Sequence, residues 1–451
     1  MTPRDKDLWF LPLGGVGEIG MNMALYGNSE RWLMVDCGMG FDQQASASRP
    51  KLLAADPQFI VERRSQLAGI VLSHAHEDHL GALPALWSKL DAPVYASPFT
   101  AEVLRRKALG RGGALPRTIV ECEPGGTTQI GPFSLHWIPV THSTAECAAL
   151  HINCVAGNVL HTADWKIDPE PLIGTSFDET PFVRAGLDSL DAVVCDSTNA
   201  PVAGHSVSEA EVLRGVRQVV NASEGRVVLA CFSSNVARMR SAAIVAKETG
   251  RYFGLLGRSL ETLQSAALST GVLERHERAI QASHLGFLPR KEVLAIATGS
   301  QGEPGAALQK LAMGSHPHLD LEPGDTLIYS ARVIPGNEES VNRLRTRLEE
   351  RGVKVVDNSE VTVHASGHPC EDELVSMYGW LKPTLAIPVH GETEHIKANA
   401  AIAKRSGAKM VLTGNNGDLF YIAPEPGVRR KATSVGRIEL DEDRQLKTKA
   451  S

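Results

Sequence analysis

Three histidines and two carboxylates crowd into one short segment of the sequence. They lie in the run Ser73-His74-Ala75-His76-Glu77-Asp78-His79, which follows an apolar stretch typical of a buried strand and precedes a stretch with helical spacing. A loop between two such elements points neighbouring side chains in different directions, so His74 and His76 can face one cation. Asp78 and His79 can then face a second. Imidazole and carboxylate together suit zinc or a similar divalent ion, and the density of ligands makes a merely solvated loop the weaker interpretation.

Two further candidate ligands stand at the ends of later apolar runs. His142 ends FSLHWIPVTH, and Asp164 ends NVLHTAD. Alone, a histidine or an aspartate at such a place is more often a satisfied core residue or a surface residue. Beside the cluster at 74–79, both become candidate ligands of the same metal centre.

The elements that must position these residues change along the chain. Up to about Ser206, short apolar runs separated by Gly, Asn and Ser predict a unit made mostly of strands. Beyond it, strand patterns alternate with helical patterns up to about residue 365, which predicts a parallel, doubly wound α/β unit. Helices are predicted over 80–90, 208–220 with Ser208 as N-cap, 235–250 ending at Gly250, and 393–406.

Length and composition bound the class of protein. The chain has 451 residues, enough for two or three domains, and 43% of them are hydrophobic, which allows a large core. No run approaches the roughly 18 apolar residues of a membrane helix, and the charged start lacks the apolar segment of a secretion signal. The seven cysteines are scattered without a C-x-x-C pair, which is typical of reduced thiols. The sequence therefore predicts a cytoplasmic protein with no membrane partner.

The net charge of −6 argues against a protein coated in positive charge. A nucleic-acid partner then needs a local basic groove. Aromatic residues make up only 5% of the chain, so a large stacking platform for single strands is not expected.

A glycine motif near the N-terminus matches a nucleotide-binding pattern but lacks its context. Gly15, Gly17 and Gly20 fit G-x-G-x-x-G, and Asp36 lies 21 residues beyond the first glycine. The pattern requires a helix straight after the glycines, because the pyrophosphate rests on the helix N-terminus. Here the following residues predict strand, turn and strand, so we interpret the motif as a tight turn between strands.

The order H-x-H-x-D-H, then His142, then Asp164 in HTAD resembles the metallo-β-lactamase superfamily. The resemblance implies an α/β fold, a four-layer αββα sandwich with metals at one edge of its sheets. The superfamily's last histidine is best matched by His390, which lies 226 residues after Asp164. An α/β insertion that fills this gap is similar to the β-CASP branch. The domains are then predicted as a metallo-β-lactamase domain over 1–206, an inserted doubly wound β-CASP domain over 207–365, and the rest of the first domain with a tail over 366–451.

Finer motifs spread over almost the whole chain narrow the resemblance. They are GGVGEIGMN, HTADWKID, DSTNA, ATGSQGEP, HASGH and PVHGE, which together resemble the bacterial ribonuclease J family. The chain stops soon after GRIELDEDRQLK, so we expect the extra C-terminal domain of that family to be missing. Because that domain contributes to the family's oligomers, the oligomeric state, including a homodimer, stays open.

The resemblance implies two cations and seven ligands. One cation would be bound by His74, His76 and His142, the other by Asp78, His79 and His390, with Asp164 bridging them. Two such cations clamp the attacking and leaving oxygens of a phosphodiester, and one lowers the pKa of a bound water from about 15.7 to about 7. Zinc is the expected metal, and manganese suits the same ligands.

His368 and Asp196 are the candidates for proton transfer, beside the ligand Asp78, which we also count as catalytic. Within the resemblance, His368 in HASGH would donate a proton to the leaving 3′-oxygen. Asp196 in DSTNA would orient His368 or a metal-bound water. The alternatives are a structural loop histidine and an aspartate that caps a turn or helix.

Two loops of small residues are candidate contacts for the substrate. Ser233, Ser234 and Asn235 stand between a predicted strand and a predicted helix, where backbone N–H groups can bind an anion. The second loop precedes another helix and could hold a 5′-phosphate in the same way; it consists of His364, Ala365, Ser366, Gly367 and His368. Ordinary helix capping is the alternative for both loops. Arg258, Arg332 and Lys166 could supply positive charge to a phosphate, but we interpret each of them as a solvated surface charge.

The function that these residues favour is hydrolysis of RNA phosphodiesters by a two-metal ribonuclease. It would act 5′ to 3′ on 5′-monophosphorylated RNA, with internal cutting left open. A DNA nuclease of the same superfamily is disfavoured by His390, because the resembling DNA enzymes typically lack a histidine there. A small-molecule hydrolase acting on a thioester or lactone has no clear use for the large inserted unit. A non-catalytic RNA-binding subunit is disfavoured because all seven ligands are present.

Overall fold

The structure, a computed structural model, describes residues 1–41, 51–110, 115–334, 336–441 and 446. Its strands, in chain order, are β1 (Leu8–Gly14), β2 (Met23–Asn28), β3 (Arg31–Val35), β4 (Met39–Phe41), β5 (Leu52–Ala55), β6 (Leu67–Leu72), β7 (Val94–Ala96), β8 (Ile119–Glu121), β9 (Thr127–Ile130), β10 (Phe133–Pro139), β11 (Ala148–Cys154), β12 (Gly157–His161), β13 (Ala192–Asp196), β14 (Val227–Ala230), β15 (Tyr252–Leu256), β16 (Val293–Ala297), β17 (Thr326–Tyr329), β18 (Lys354–Val356), β19 (Leu385–Val389), β20 (Met410–Val411), β21 (Leu419–Ala423), β22 (Gly427–Arg429) and β23 (Arg437–Leu440). Its helices are α1 (Gln58–Val61), α2 (Glu77–Leu80), α3 (Leu83–Leu90), α4 (Pro98–Gly110), α5 (Thr180–Leu187), α6 (Glu209–Asn221), α7 (Val236–Thr249), α8 (Arg258–Ser269), α9 (Ala282–Leu285), α10 (Ala307–Ala312), α11 (Glu338–Glu350), α12 (Glu371–Leu381) and α13 (Thr393–Arg405).

Two large sheets pack face to face at the centre of the molecule. One has the strand order β22-β21-β1-β2-β3-β6-β7-β8 and the other β20-β19-β13-β12-β11-β10-β9, and a small third sheet has the order β23-β5-β4. Phe10 and Tyr26 of the first large sheet share a buried cluster with Leu150 and Val194 of the second. Alternate residues of each strand point to opposite faces, so each sheet presents one apolar face to the other and a second to its outer helices.

Helices cover the outer faces of both sheets. On the first sheet, Leu86 of α3 and Phe99 of α4 pack in one cluster with Met34 of β3. The outer face of the second sheet is covered by α5, α12 and α13. Met377 of α12, for example, packs in one cluster with Val193 of β13. The layers therefore run helix, sheet, sheet, helix, which confirms the predicted αββα sandwich.

A separate sheet of five parallel strands, in the order β15-β16-β14-β17-β18, lies between β13 and β19 in the sequence. Helices flank both of its faces, since Leu229 of β14 clusters with Val216 of α6 while its neighbour Val228 clusters with Leu344 of α11. This confirms the predicted doubly wound unit. The predicted helix start is also confirmed, because the side chain of Ser208 accepts a hydrogen bond from the backbone of α6.

The domain boundaries at 206 and 365 stay predictions, and residues 442–445 and 447–451 of the predicted tail lie outside the described residues.

Helix α4 is absent from the predicted helices. Its buried positions include Thr100 and Lys107, so its inward face is not uniformly apolar and gives a weak periodic signal. Among the described residues, no helix combines the length and apolar composition needed to cross a bilayer.

Candidate metal centre

The candidate ligands lie at the carboxyl ends of strands from both large sheets. His74 follows β6, His142 follows β10, Asp164 follows β12 and His390 follows β19. Because β12, β13 and β19 are adjacent and parallel, their carboxyl ends meet at one edge of the sheet. The fold thus brings together residues that are more than 300 positions apart in the chain.

The remaining ligands come from the single-turn helix α2. His76 precedes its first residue with an extended backbone, and Asp78 and His79 lie inside the turn. A helix turn of this kind places His79 against the core and leaves Asp78 partly exposed, with 30% of its side chain accessible. Residues 77–79 therefore belong to a helical turn instead of the predicted loop, and their side chains still point in different directions.

The seven residues form two compact groups that share Asp164. The first is His74, His76, His142 and Asp164, and the second is Asp78, His79, His390 and Asp164; the ligand atoms of each group lie within 4.8 Å of one another. Oδ2 of Asp164 lies 3.7 Å from Nε2 of His74 and 3.7 Å from Nε2 of His142. Its Oδ1 lies 3.6 Å from Nε2 of His390. One carboxylate therefore faces both groups, as a bridging ligand must.

These separations fit a shared cation. Ligands held about 2.0–2.2 Å from a tetrahedral cation are about 3.3–3.6 Å apart, close to the 3.2 Å between Nε2 of His79 and Oδ2 of Asp164. Nε2 of His74, Oδ1 of Asp164 and Nε2 of His390 are buried and have no hydrogen-bond partner in the described part of the chain. Burying a polar atom without a hydrogen-bond partner costs free energy. The convergence of three such atoms therefore indicates that this site is built to bind cations.

The electrostatics of the site also call for cations. The carboxylates of Asp36, Asp78, Asp164 and Asp196 form their ion pairs with histidines, and none is paired with Lys or Arg within the described residues. Burial lowers the pKa of His74 and His142 well below the ordinary value and that of His76 to about 4. Those imidazoles are therefore neutral at pH 7, the form that binds a metal. Against the effect of burial, the carboxylates raise the pKa of His79 well above the ordinary value and that of His368 to about 9. Four carboxylates beside two protonated imidazoles still leave negative charge that divalent cations would balance.

A second set of contacts fixes the orientation of the ligand rings. Nδ1 of His79 donates to Oδ2 of Asp36 at 2.7 Å, and Nδ1 of His142 donates to the carbonyl oxygen of Gly367 at 2.6 Å. Nδ1 of His74 lies 3.0 Å from Oγ of Ser73, which itself donates to Asp36. Each contact leaves Nε2 free to face the cation site. Asp36, which the sequence places in a nucleotide-binding pattern, thus supports the metal centre. The signal in the sequence that indicates this role is its position directly after the strand pattern of β3.

The predicted proton-transfer pair also meets at this edge. Nδ1 of His368 lies 2.8 Å from Oδ2 of Asp196, whose other oxygen accepts the backbone N–H of Thr198 at 2.9 Å. Burial opposes protonation of His368, but the carboxylates of Asp196 and Asp164 outweigh it and raise its pKa to about 9. Asp196, His368 and His390 also bring three ligand atoms within 4.8 Å, although the hydrogen bond to Asp196 already engages Nδ1 of His368.

The two candidate substrate loops lie beside each other at the carboxyl edge of the inserted sheet. Ser233 and Ser234 follow β14, and Oγ of Ser330, after the neighbouring β17, donates to the carbonyl oxygen of Val363 at 2.6 Å. That hydrogen bond ties the start of the second loop, 364–368, to the sheet edge next to the first. The second loop also reaches the metal edge, where Gly367 accepts a hydrogen bond from His142 and His368 contacts Asp196.

Individual residues of these loops are already engaged. The side chain of Asn235 accepts from the backbone N–H of Arg238 as the N-cap of α7, the alternative that we had left open. Oγ of Ser366 accepts from Asn199 at 2.7 Å, while the backbone of Gly367 contacts His142. Ala365 is buried, and His364 is partly buried with Nδ1 unpartnered among the described residues.

The interpretation of Lys166 as a solvated surface charge is wrong. The side chain is fully buried, and Nζ lies 2.9 Å from Oδ2 of Asp168. Its other neighbours, Val207 and Glu209, belong to the start of the inserted unit. A buried lysine needs such partners, and they come from a segment 41 residues away, which no local pattern reveals.

Three family profiles match the chain in order. The Metallo-beta-lactamase superfamily profile covers residues 16–187, the Ribonuclease J, beta-CASP domain profile residues 224–348, and the Zn-dependent metallo-hydrolase RNA specificity domain profile residues 352–412. A solved protein of unknown function from Enterococcus faecalis aligns over 92% of this chain and 100% of its own, with a TM-score of 0.64 and 13% identity. At that identity the likeness shows a common fold.

Fold, profiles and metal edge together define a metallo-β-lactamase-fold protein of the β-CASP branch. The chain is 42% identical to Ribonuclease J of Sinorhizobium meliloti over 97% of its own length and 78% of the relative's. It is 36% identical to Ribonuclease J of Mycolicibacterium smegmatis over 95% of its length and 77% of the relative's. The chain belongs to the ribonuclease J family, which confirms the resemblance read from its motifs.

Proposed function

We propose that this protein is a two-metal ribonuclease that degrades RNA from a 5′-monophosphorylated end in the 5′-to-3′ direction. The observation that carries the proposal is the convergence of seven ligands into two groups sharing Asp164. The family supports RNA as the substrate, since the relatives named above are ribonucleases and the profile over residues 352–412 is that of an RNA specificity domain.

The ligand set fits two divalent cations. We assign His74, His76 and His142 to one and Asp78, His79 and His390 to the other, with Asp164 facing both. When bound, such cations would supply Lewis-acid stabilisation of the scissile phosphate and a water of lowered pKa. We assign zinc, because neutral imidazoles predominate over carboxylates among the ligands, and manganese is the metal to compare with it.

The chain's own residues supply the proton for the leaving group. We assign the general acid to His368, because Nδ1 is held by Asp196 and the side chain is 20% exposed at the metal edge. The Asp196 carboxylate fixes the ring and favours its protonated form, while Thr198 fixes Asp196 in turn. Asp78 acts as a ligand and, being partly exposed, borders the space that the phosphodiester would enter.

The 5′-phosphate would bind between the two loops at the inserted sheet. The exposed parts of Ser233, Ser234, Ser366 and His364 can donate to an anion there. Arg332 stands beside them, exposed, with Nη1 donating to Asn199 at 2.7 Å. Asn235, Ala365 and Gly367 would shape the loops through backbone contacts instead of touching the phosphate with a side chain. A phosphate bound there would direct the first phosphodiester towards the cations, because the loop 364–368 contacts the ligand His142 through Gly367, and this would release nucleotides from the 5′ end.

The test compares one RNA sequence in four forms: 5′-monophosphorylated, 5′-hydroxyl, circular, and the corresponding DNA strand. We expect the 5′-monophosphorylated RNA to be degraded fastest, with mononucleotides appearing from the 5′ end. Activity should be lost with a chelator and in His76→Ala. Full activity after removal of all cations would refute the two-metal proposal, and rapid cleavage of the circle would show that internal cutting dominates. Faster loss of DNA than of RNA would assign the alternative substrate.

A further inference from the structure

The glycine motif at residues 15–20 is a loop that leads from β1 to β2, and no helix follows it. Its three glycines all adopt positive φ, with values of 86° at Gly15, 80° at Gly17 and 95° at Gly20. Residues other than glycine rarely adopt this backbone conformation. The motif therefore specifies one particular loop conformation. Without a following helix, this loop lacks the N-terminus on which a nucleotide phosphate would rest.

The loop contacts the backbone on both sides of His390. The N–H of His390 donates to the carbonyl oxygen of Gly15 at 2.7 Å. The next residue, Gly391, forms bridges with Val16 and Glu18 of the loop. His390 itself has a φ of 53°, a strained value for a residue with a side chain. The glycine loop is thus one of the contacts that hold this ligand in an unfavourable backbone conformation.

Asn22, directly after the loop, contacts every member of the second ligand set apart from the shared Asp164. Its Oδ1 accepts from Nδ1 of His390 at 2.9 Å, and its Nδ2 donates to the carbonyl oxygen of Asp78 at 3.0 Å. The same Nδ2 lies 3.1 Å from Nε2 of His79. Because Nε2 of His79 is the ring atom that faces the cation site, the orienting hydrogen bonds of the Asn22 side chain are those to His390 and Asp78.

The amide fixes the ring state as well as the position of His390. An oxygen can only accept, so Nδ1 of His390 must carry the proton and Nε2 must carry the lone pair. That Nε2 is one of the buried atoms without a partner in the described chain, and it faces the cation site. The backbone N–H of Asn22 also donates to the carbonyl oxygen of Asp78, at 3.0 Å, so Asn22 restrains α2 twice.

Two glycines make room for this arrangement. A side chain on Gly15 would collide with Oδ1 of Asn22, and a side chain on Gly38 would collide with the carbonyl oxygen of Asp78. The N–H of Gly38 in turn donates to the carbonyl oxygen of Asn22 at 2.9 Å. Asn22 therefore sits in a close-fitting cradle that admits one orientation of its amide.

We propose that Asn22 is the positioning residue of the cation site formed by Asp78, His79 and His390, and that it determines the occupancy of this site separately from that of the other. The inference rests on the proposed two-cation function. Because Asn22 makes no described hydrogen bond to His74, His76 or His142, its loss weakens one site and spares its neighbour. Partners that orient metal ligands typically contribute about 10–100-fold in affinity.

The test is the cation stoichiometry and affinity of Asn22→Ala, measured by elemental analysis after dialysis and by calorimetric titration with zinc. Asn28→Ala is the matched control, because Asn28 stands at the other end of β2, is fully buried, and donates to the carbonyl oxygens of Asp5 and Asp7. We expect Asn22→Ala to bind one of its two cations about 10–100-fold more weakly and the other as the wild type does. Asn28→Ala should retain both affinities even if it melts earlier.

The assignment to one site follows from combination with His390→Ala. If Asn22 acts through this site, Asn22→Ala and His390→Ala together weaken it by less than the product of the two single effects, and the affinity of the other site stays unchanged. Unchanged affinity for both cations in Asn22→Ala, or equal weakening of both, overturns the proposal. Should Asn22→Ala fail to fold, shown by its circular dichroism, Asn22→Leu keeps the side-chain volume and carries the same measurement. RNA cleavage by the wild type is measured in parallel, so that a wild type with two cations and no ribonuclease activity refutes the function alone.

Discussion

Lys166 provides the most direct test of how the two units of the molecule are joined. It lies two residues after the shared ligand Asp164, and its Nζ contacts Oδ2 of Asp168 at 2.9 Å and the carbonyl oxygen of Val207 at 2.9 Å. Glu209, at the first position of α6, lies 3.9 Å from Nζ and 3.1 Å from Nη2 of Arg238. All four charged side chains are buried, so the strand-end segment of the metal edge meets the inserted unit through an ion network without solvent.

Lys166→Met keeps most of the side-chain volume and removes the charge. Breaking a buried ion pair by deleting one partner typically costs about 3–5 kcal/mol. Asp168 keeps two backbone donors, the N–H groups of Glu209 and Glu170, so the lower end applies. We expect a loss of about 3 kcal/mol, or about 3 °C in melting temperature, because an unfolding entropy of about 2.1 cal/mol/K per residue over 451 residues corresponds to about 1 °C per kcal/mol. Differential scanning calorimetry of metal-loaded protein measures it.

The stability difference between the wild type and Lys166→Met should depend on pH in a defined direction. Burial opposes ionisation of Asp168, but Lys166 and the backbone donors hold its pKa below the ordinary value. A carboxyl with a lowered pKa in the folded state contributes stability that is complete above the unfolded-state pKa of about 3.9 and is lost as the pH falls through the folded-state pKa. The difference between wild type and Lys166→Met should therefore be full at pH 7 and shrink below about pH 4.

Lys397→Met is the matched control for this experiment. Lys397 forms an ion pair with Glu394 at the same distance, 2.9 Å, but 66% of its side chain is exposed. Exposed pairs contribute little, so we expect a change within about 0.5 kcal/mol. If Lys166→Met has the same melting temperature as Lys397→Met, the buried ion network does not stabilise the junction and the reasoning fails.

Three further outcomes follow from the metal edge. His368→Ala should lower the rate of RNA cleavage by about 10²–10⁴-fold while elemental analysis still finds two cations per chain; loss of a cation would make His368 a ligand instead. Asp36→Asn should weaken cation binding by about 10–100-fold in calorimetric titration, because the buried hydrogen bond to His79 loses its charge, and unchanged binding would remove Asp36 from the site. Removing cations with a chelator should lower the stability by about 2.7 kcal/mol for each of the two proposed sites, relative to protein at a cation concentration of 100 times Kd, visible as a lower melting temperature, whereas an unchanged melting temperature would show that the folded edge does not bind them.

The ligands could be predicted from the sequence because their chemistry is dense and local. Five of the six positions at 74–79 carry side chains able to bind a metal, and each of His142, Asp164 and His390 stands just after an apolar strand pattern. Carboxyl ends of parallel strands share an edge, which agrees with the position of His142 and Asp164 beside the cluster, whereas His390 was assigned only through the resemblance to the superfamily. The alternation of patterns after Ser206 was equally informative, because a buried parallel strand and an amphipathic helix differ in period and length.

Contacts that depend on distant partners could not be predicted in this way. Lys166 has the pattern of a surface residue, and only the packing of the inserted unit against it supplies Val207 and Glu209. Asn22 follows a glycine turn and gives no local sign that His390, 368 residues later, will meet its amide. In each case the residue type permits the role, and the role itself is set by long-range packing.

Backbone strain concentrates at the metal edge in a way that links these contacts to the ligands. Asp36 has a φ of 63°, Ala163 of 50° and His390 of 53°, and each comes at the end of a strand beside or within the ligand set. Such a conformation costs of order 1–3 kcal/mol for a residue with a side chain. Ala163 directly precedes the shared ligand Asp164, whereas Asp36 and His390 are themselves the residues whose side chains reach the metal edge. Asp36 and His390 are held by hydrogen bonds from their N–H groups to Val71 and Gly15. Because these bonds join backbone atoms that are not cation ligands, the fold itself supports the strained conformation of both residues.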